Sequence, residues 1–415
     1  MLIKLKNTIL EINTQLLGLP KSLKKNIFFV AFSAFAILGS YPFIRASTTA
    51  LFLQNHGAKN SPLVWLGSVG TLAVLVTLYN FLQTKVRVQV LFLFSSLGTC
   101  LGLGLFYYLL EQGQSFWSYP LFILKEAYIV LLFHMALGYL NSTIDYKLAR
   151  SLLGPLGAVG SFGGIIGGLI TAQYAKSWGL GVIIGIGVFL IVLATISFWF
   201  TDKNINISEN KKIQKKENLF SDLGEVKKYV FAIAGIIALA QFSIALMNFK
   251  FNLQLESSFP DKIGKTQFLA ELYTAVNAMS LFLQLIVLPI ALRSFNLRNI
   301  HIFLPASYLA LVLLVLALPY GGLWPVALGF WFYKSFDYSF FQASKELLYF
   351  PLGAKQKYAA KYLNDLVIYR LAKGLISLIL IFIQSPILVN IMLAISLVLW
   401  GLLVFPLFKL RPNEA

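Results

Sequence analysis

Twelve mostly apolar stretches constrain the fold of this 415-residue chain more than any other feature. A stretch of about 20 apolar residues can cross the hydrocarbon core of a bilayer as a helix. Inside a bilayer, a helix or a closed barrel is needed to satisfy the backbone polar groups. The pattern predicts an all-α integral membrane protein with twelve transmembrane helices, near 27–52, 62–83, 88–110, 116–140, 151–174, 180–200, 229–252, 266–292, 299–318, 322–344, 361–383 and 386–408.

The composition excludes most soluble classes. Hydrophobic residues make up 58% of the chain and charged residues only 12%, whereas a soluble domain carries about 25% charged residues. A net charge of +18 would favour nucleic-acid binding in a soluble protein. In a membrane protein, cations instead mark the cytoplasmic side, so we predict the lipid bilayer, and not a nucleic acid, as the partner.

The longest polar segment, 201–228, separates the sixth and seventh predicted helices. It mixes lysines with carboxylates, as is typical of a cytoplasmic linker. It therefore divides the chain into two predicted six-helix bundles, 27–200 and 229–408. A basic leader at 1–26 and a short tail at 409–415 flank them.

A weak internal repeat indicates that the two bundles are pseudo-symmetric. Phe43-Ile44-Arg45 near the end of the first predicted helix parallels Asn248-Phe249-Lys250 in the seventh. Two such six-helix repeats are the plan of major-facilitator transporters, which bind substrate near the midplane. The loop motif usual in facilitators after the second helix is absent at 80–87, which indicates an atypical branch.

The lysines and arginines of the loops are strongly asymmetric. With the N-terminus inside, only Lys59, Lys176, Lys262 and Lys265 fall outside. The positive-inside rule then predicts that both termini are cytoplasmic. The inner-side cations, besides those of the leader and linker, are Lys85, Arg87, Lys147, Arg150, Arg293, Arg298, Lys355, Lys357, Lys361, Lys409 and Arg411.

The leader allows two interpretations. Its apolar residues recur at helical spacing from Leu5 to Leu17, which is typical of an amphipathic helix lying on the inner membrane face. A solvated basic segment fits the same residues.

Ionisable residues inside the predicted helices are the candidate site. A charge at the bilayer centre costs roughly 2.5–3.5 kcal/mol on insertion scales, so such residues mark substrate pathways. With Glu271, the set holds six cations and four carboxylates, and the surplus of cations predicts an anionic ligand. The candidate substrate-binding residues are Arg45, Lys125, Glu126, Lys250, Lys334, Asp337, Asp365, Arg370 and Lys373.

A structural role is the alternative interpretation of these charges. Asp337 could neutralise Lys334, Asp365 could pair with Lys361 one turn earlier, and Glu126 could reach a cation on a neighbouring helix. Arg45 and Lys250 could extend to the lipid headgroups.

The fifth predicted helix is rich in glycine. Several of its glycines are four residues apart, a spacing that lets another helix approach closely. A phosphate-binding loop would need a following Lys-Ser/Thr pair and a preceding strand, and both are absent. We therefore predict close helix packing for the pairs Gly160/Gly164, Gly163/Gly167 and Gly164/Gly168.

A charged signature runs from the end of the tenth predicted helix into the eleventh. Its members are Lys345, Glu346, Tyr349, Pro351, Leu352, Lys357, Lys361, Asp365, Arg370 and Lys373. This pattern resembles the bacterial and plastid ATP/ADP translocase family, within the major facilitator superfamily. The resemblance implies nucleotide transport by alternating access.

The chain departs from that family at two places. Ala46, Thr48 and Thr49 stand where the family has charged residues, and Leu246 stands where it has a glutamate. The expected substrate is therefore an anion in a broader sense, either a nucleotide or a related organic phosphate.

Other classes of function find less support. Metalloprotease, serine-hydrolase and Cys/His zinc motifs are absent, so we predict neither an enzyme nor a metal or cofactor site. The single cysteine, Cys100, excludes an internal disulfide. A facilitator for a different small solute and a non-transporting membrane scaffold remain as alternatives. We expect a secondary transporter that acts as a monomer.

Overall fold

The structure is a computed structural model, and it describes residues 19–144, 146–202, 223–317 and 322–412. All regular elements in these ranges are helical. Nine helices among the described residues are long and apolar enough to cross a membrane. Most of the predicted leader and of the predicted linker lies outside the described residues, including the apolar positions of the leader from Leu5 to Leu17.

The first half of the chain forms five long helices. The fifth contains two helices joined at Gly179, where the backbone turns to φ 76° and ψ 161°. The helices are α1 (Lys21–His56), α2 (Ser61–Leu82), α3 (Val88–Glu111), α4 (Ser118–Thr143) and α5 (Tyr146–Trp199), with 3-10 turns at Ala58–Asn60 and Ser115–Trp117.

The second half begins with a 3-10 turn at Gly224–Val226. Three of its long helical rods contain a π-helical segment, at Leu283–Val287, Asp337–Phe341 and Tyr362–Ile368. The α-helices are α6 (Lys227–Ser258), α7 (Lys262–Phe282), α8 (Leu288–Ser294), α9 (Leu297–Ala317), α10 (Leu323–Phe336), α11 (Gln342–Leu348), α12 (Ala354–Lys361), α13 (Tyr369–Phe382) and α14 (Pro386–Lys409).

Within the described ranges, these elements form twelve rods when α5 counts as two and each π-helical segment joins its neighbours. The predicted all-α membrane fold with twelve helices is thus confirmed. Several helices begin or end at other residues than predicted. The prediction followed the apolar part of each helix, and polar residues extend the helix beyond that part. The first helix begins at Lys21, ahead of 27, and the eleventh rod begins at Ala354, ahead of 361.

The chain divides into two compact units. Unit 1 contains Met1–Leu51, Gly70–Ile213 and Thr266–Thr274, and unit 2 contains Phe52–Val69, Gln214–Lys265 and Ala275–Ala415. The units therefore do not follow a single cut at the linker. Phe52–Val69 comes from the first half of the chain but belongs to unit 2, and Thr266–Thr274 comes from the second half but belongs to unit 1. The predicted boundary at 201–228 stays a prediction, because residues 203–222 are outside the described ranges.

Close packing of α1 against α5 organises unit 1. A Cβ added to Gly163 would lie 2.8 Å from the carbonyl oxygen of Phe35, and one added to Gly167 would overlap the carbonyl oxygen of Gly39. A Cβ on Gly168 would overlap the hydroxyl of Thr274. These contacts confirm the predicted close helix packing for Gly163, Gly167 and Gly168.

Unit 2 is built around α6, which is buried along most of its length. Ser243 on α6 and Ser396 on α14 share a hydrogen bond of 3.0 Å between their hydroxyl oxygens. Segment 52–69 belongs to this unit because polar contacts join it to α6. The Ala58 N–H donates to the Glu256 carboxylate at 2.7 Å, and Asn252 donates to the Ser61 hydroxyl at 3.2 Å.

Candidate functional site

Lys125 is the most deeply buried cation of the candidate site, with 2% of its surface exposed. It lies on α4 in unit 1, where its Nζ donates to the Thr49 hydroxyl at 3.0 Å. The same Nζ lies 3.2 Å from the Glu126 carboxylate and 3.2 Å from the centroid of the Phe122 ring. A buried ammonium needs such partners, because burying a charge without them is costly.

Arg45 on α1 is enclosed by aromatic rings. Its guanidinium carbon lies 3.3 Å from the ring centroid of Tyr273 and 5.2 Å from that of Tyr41. A guanidinium stacks well on aromatic faces. The structure thus places Arg45 against protein rings inside unit 1, which differs from the headgroup contact considered as an alternative.

Lys250 on α6 lines a small cavity in unit 2. Its Nζ donates to the side-chain oxygen of Asn390 at 3.0 Å. Tyr308 and Tyr333 form one wall and stack with their ring centroids 3.9 Å apart. The cavity has room for roughly one water molecule. The other lining residues are Met247, Leu311, Val312, Gly329 and Leu393.

Lys334 and Asp337 lie where α10 gives way to its π-helical segment. The Lys334 Nζ is 5.8 Å from the Phe330 ring centroid and 5.2 Å from that of Tyr338. Asp337 is buried and interacts electrostatically with Lys334 and Lys345. The alternative that Asp337 neutralises Lys334 stays a prediction, since the two interact electrostatically but no direct ion pair between them is found among the described residues.

Asp365 has a different partner from the one predicted. Its carboxylate lies 2.8 Å from the Lys345 Nζ, and Lys361 pairs with Glu346 instead. The predicted pair Asp365–Lys361 is thus wrong, because the turn between α11 and α12 brings the two rods side by side. Lys345 belongs to the charged signature but is missing from the predicted site, and the signature was the signal that could have found it.

Arg370 and Lys373 lie on α13, where Arg370 is half-buried and Lys373 is partly buried. Arg370 forms neither a hydrogen bond nor an ion pair with any residue that the structure describes. Its guanidinium carries five N–H donors in a fixed fork.

The charges of the nine candidate residues do not balance. Three are in unit 1 (Arg45, Lys125 and Glu126) and the other six are in unit 2. Since Asp365 is bound to Lys345, which is not one of the nine, only Glu126 and Asp337 remain to offset six cations. Among the described residues, no group of three or more metal-ligating side chains comes together.

Comparison with known proteins gives the fold. No protein-family model matches the chain, and no curated protein matches it. Solved structures match over almost the whole chain. A point mutant of the nucleoside transporter NupG is 15% identical, with 93% of this chain and 100% of that chain covered and a TM-score of 0.67.

Two further structures give similar values. A bacterial homologue of the iron transporter ferroportin in an inward-facing state is 11% identical, with 93% and 99% covered and a TM-score of 0.67. The POT family transporter PepTSo is 13% identical, with 94% and 99% covered and a TM-score of 0.65. The chain is therefore an all-α integral membrane protein with the fold of major-facilitator transporters.

Proposed function

We propose that the protein is a secondary transporter that moves an anionic solute, a nucleotide or a related organic phosphate, by alternating access. The observation that carries this proposal is Arg370, a half-buried arginine with no ion-pair partner among the described residues. The fold supports transport, since the structures that it resembles include nucleoside, peptide and sugar transporters.

The contacts of Lys250 also favour an anion. Its side-chain partner Asn390 is a neutral amide, which fixes the position of the ammonium without neutralising it. A phosphate or carboxylate would supply the missing negative charge. Arginine suits bidentate binding of such groups, and lysine acts as a point charge beside it.

The translocase-like signature supports an organic phosphate. Four members of the signature form ion pairs with one another. Lys345 pairs with Asp365 and Glu346 pairs with Lys361, so these four residues hold two rods together. Arg370 and Lys373 lie further along α13, outside both pairs. We assign substrate contact to these two cations.

Aromatic rings beside the cations fit a solute that also carries a base. Tyr273 stacks on Arg45 in unit 1, and Tyr41 lies against the same guanidinium. Such faces can stack on an aromatic group near a bound phosphate. We further propose that the protein works as a monomer in a bacterial inner membrane, with both termini cytoplasmic.

Uptake into proteoliposomes tests the function. The purified protein would be tested with labelled ATP, ADP, AMP and glycerol phosphate, with and without the same compound inside, and with labelled uridine as a neutral control. We expect saturable exchange of one or more phosphates and none of uridine. Transport of the neutral solute alone would favour a facilitator of another class. If the protein neither binds nor exchanges any of these probes, the proposal is contradicted.

A further inference from the structure

Asp337 differs from the other carboxylates of the candidate site by its burial. It is 7% exposed, whereas the side chains of Glu126 and Asp365 are 21% and 29% exposed. Those two carboxylates pair directly with lysines at 3.2 and 2.8 Å. Asp337 forms no hydrogen bond or ion pair with any residue in the described part of the chain.

The groups that face Asp337 do not satisfy it. Lys334 lies one turn earlier against aromatic rings, and Lys345 is bound to Asp365. Tyr308 and Tyr333 are the nearby hydroxyls. They donate elsewhere, Tyr308 to the Tyr333 carbonyl and Tyr333 to the Ala240 carbonyl, both at 3.4 Å.

The backbone at Asp337 is also unusual. This residue begins the π-helical segment Asp337–Phe341. Short π-helical turns inside α-helices are frequent at functional sites. The cavity of Lys250 is lined by the same two tyrosines, Tyr308 and Tyr333, and has room for roughly one water molecule. Water therefore has a place beside the groups that border Asp337.

An ionised carboxylate buried without a partner is costly, and a bound proton removes the charge. Ionisable residues of this kind inside membrane helices serve proton relays in transporters. We propose that Asp337 is the proton-binding site of this transporter. Its carboxylate takes one proton from water to form the neutral acid and returns that proton to water across the membrane, so that proton movement accompanies the anion. This inference rests on the proposed transport function and replaces the substrate contact predicted for Asp337.

Infrared difference spectra of the full chain in lipid nanodiscs test the site without any solute. Between about pH 5 and about pH 9, ordinary exposed carboxyls are ionised and a protonated one stands out. We expect a protonated-carboxyl band in the wild type. Asp337→Asn should abolish it and Asp337→Glu should shift it. Glu271→Gln, which removes an exposed carboxylate of α7, should keep it.

A band that persists in Asp337→Asn, or that is absent from the wild type, would overturn the proposal. Proteoliposomes with a trapped pH indicator and ADP as the probe add a second readout. Wild type should acidify or alkalinise the lumen as ADP moves, and Asp337→Asn should exchange ADP with loss of that signal. Equal proton movement in Asp337→Asn would also overturn the assignment. If the wild type exchanges neither ADP nor any of the other phosphates, the transport function alone is contradicted, because the spectra decide the proton site independently.

Discussion

The Lys345 Nζ lies 2.8 Å from the Asp365 carboxylate, and this ion pair joins α11 to the π-helical segment before α13. A second pair, Glu346–Lys361, joins the same two rods. The first pair is better protected, because the Lys345 side chain is 8% exposed and both side chains of the second pair are more than one-third exposed. The two pairs should therefore contribute unequally to stability.

Asp365→Asn should lower the melting temperature of the purified protein. It leaves the buried Lys345 ammonium without its charged partner, and a hydrogen bond to a charged group contributes about 1.5–3 kcal/mol. Glu346→Gln is the matched control, since an exposed pair contributes about 0–1 kcal/mol. The double variant Lys345→Met/Asp365→Leu should recover much of the loss, because it removes both charges. Equal melting temperatures of Asp365→Asn and Glu346→Gln would refute the larger contribution of the Lys345–Asp365 pair.

Gly167→Ala should destabilise unit 1. Its new Cβ would overlap the carbonyl oxygen of Gly39 on α1, and backbone cannot move aside as a side chain can. Overpacking of this kind costs about 1–3 kcal/mol. Gly185 lies in the second helix of α5, beyond Gly179, with open space around its Cβ, so Gly185→Ala should melt at or above the wild-type temperature. Thermal melting in one detergent compares them, and a stable Gly167→Ala variant would contradict the packing.

Asp261 should make the stability of α7 depend on pH. Its carboxylate accepts the Gly264 N–H at 2.7 Å as the N-cap, and this bond lowers the pKa of Asp261 below its ordinary 3.8. The ionised cap is therefore favoured above pH 3.8, and its contribution is lost as the pH falls through the lower pKa of the folded state. Asp261→Ala should cost about 0.5–2 kcal/mol at neutral pH, whereas Asp261→Asn retains most of the cap. Identical melting temperatures of Asp261→Ala and Asp261→Asn would contradict a stabilising N-cap at Asp261.

The fold could be predicted from the sequence because hydropathy reports directly on the length and number of the helices. The pairing of the charged side chains could not be predicted from the sequence. Lys361 and Asp365 are one turn apart, so helical spacing favoured their pairing, but the turn before Ala354 sets Lys345 beside Asp365 instead. The π-helical segment at Asp337 was equally hidden, because no composition signal marks an extra residue in a helical turn.

The candidate site could be predicted in its residues but only partly in its contacts. Charges within apolar sequence identified Arg45 and Lys125 as candidate residues. Their partners, Tyr273 for Arg45 and Thr49 for Lys125, depend on how separate helices pack. Helical periodicity shows which residues share one face of a helix. It does not show which other helix packs against that face.

The central claim is that Arg370 binds the anion. The direct measurement is the affinity of the protein in nanodiscs for labelled ADP, together with the melting temperature without ligand. Arg298→Ala is the control, since Arg298 is an exposed arginine against Phe405 and should keep wild-type affinity. Losing a contact to a charged group, about 1.5–3 kcal/mol, should weaken binding by roughly ten- to a hundredfold in Arg370→Ala. Arg370→Lys keeps the charge without the bidentate fork and should be intermediate. A lower melting temperature of Arg370→Ala with unchanged affinity would contradict the account and leave Arg370 a structural role.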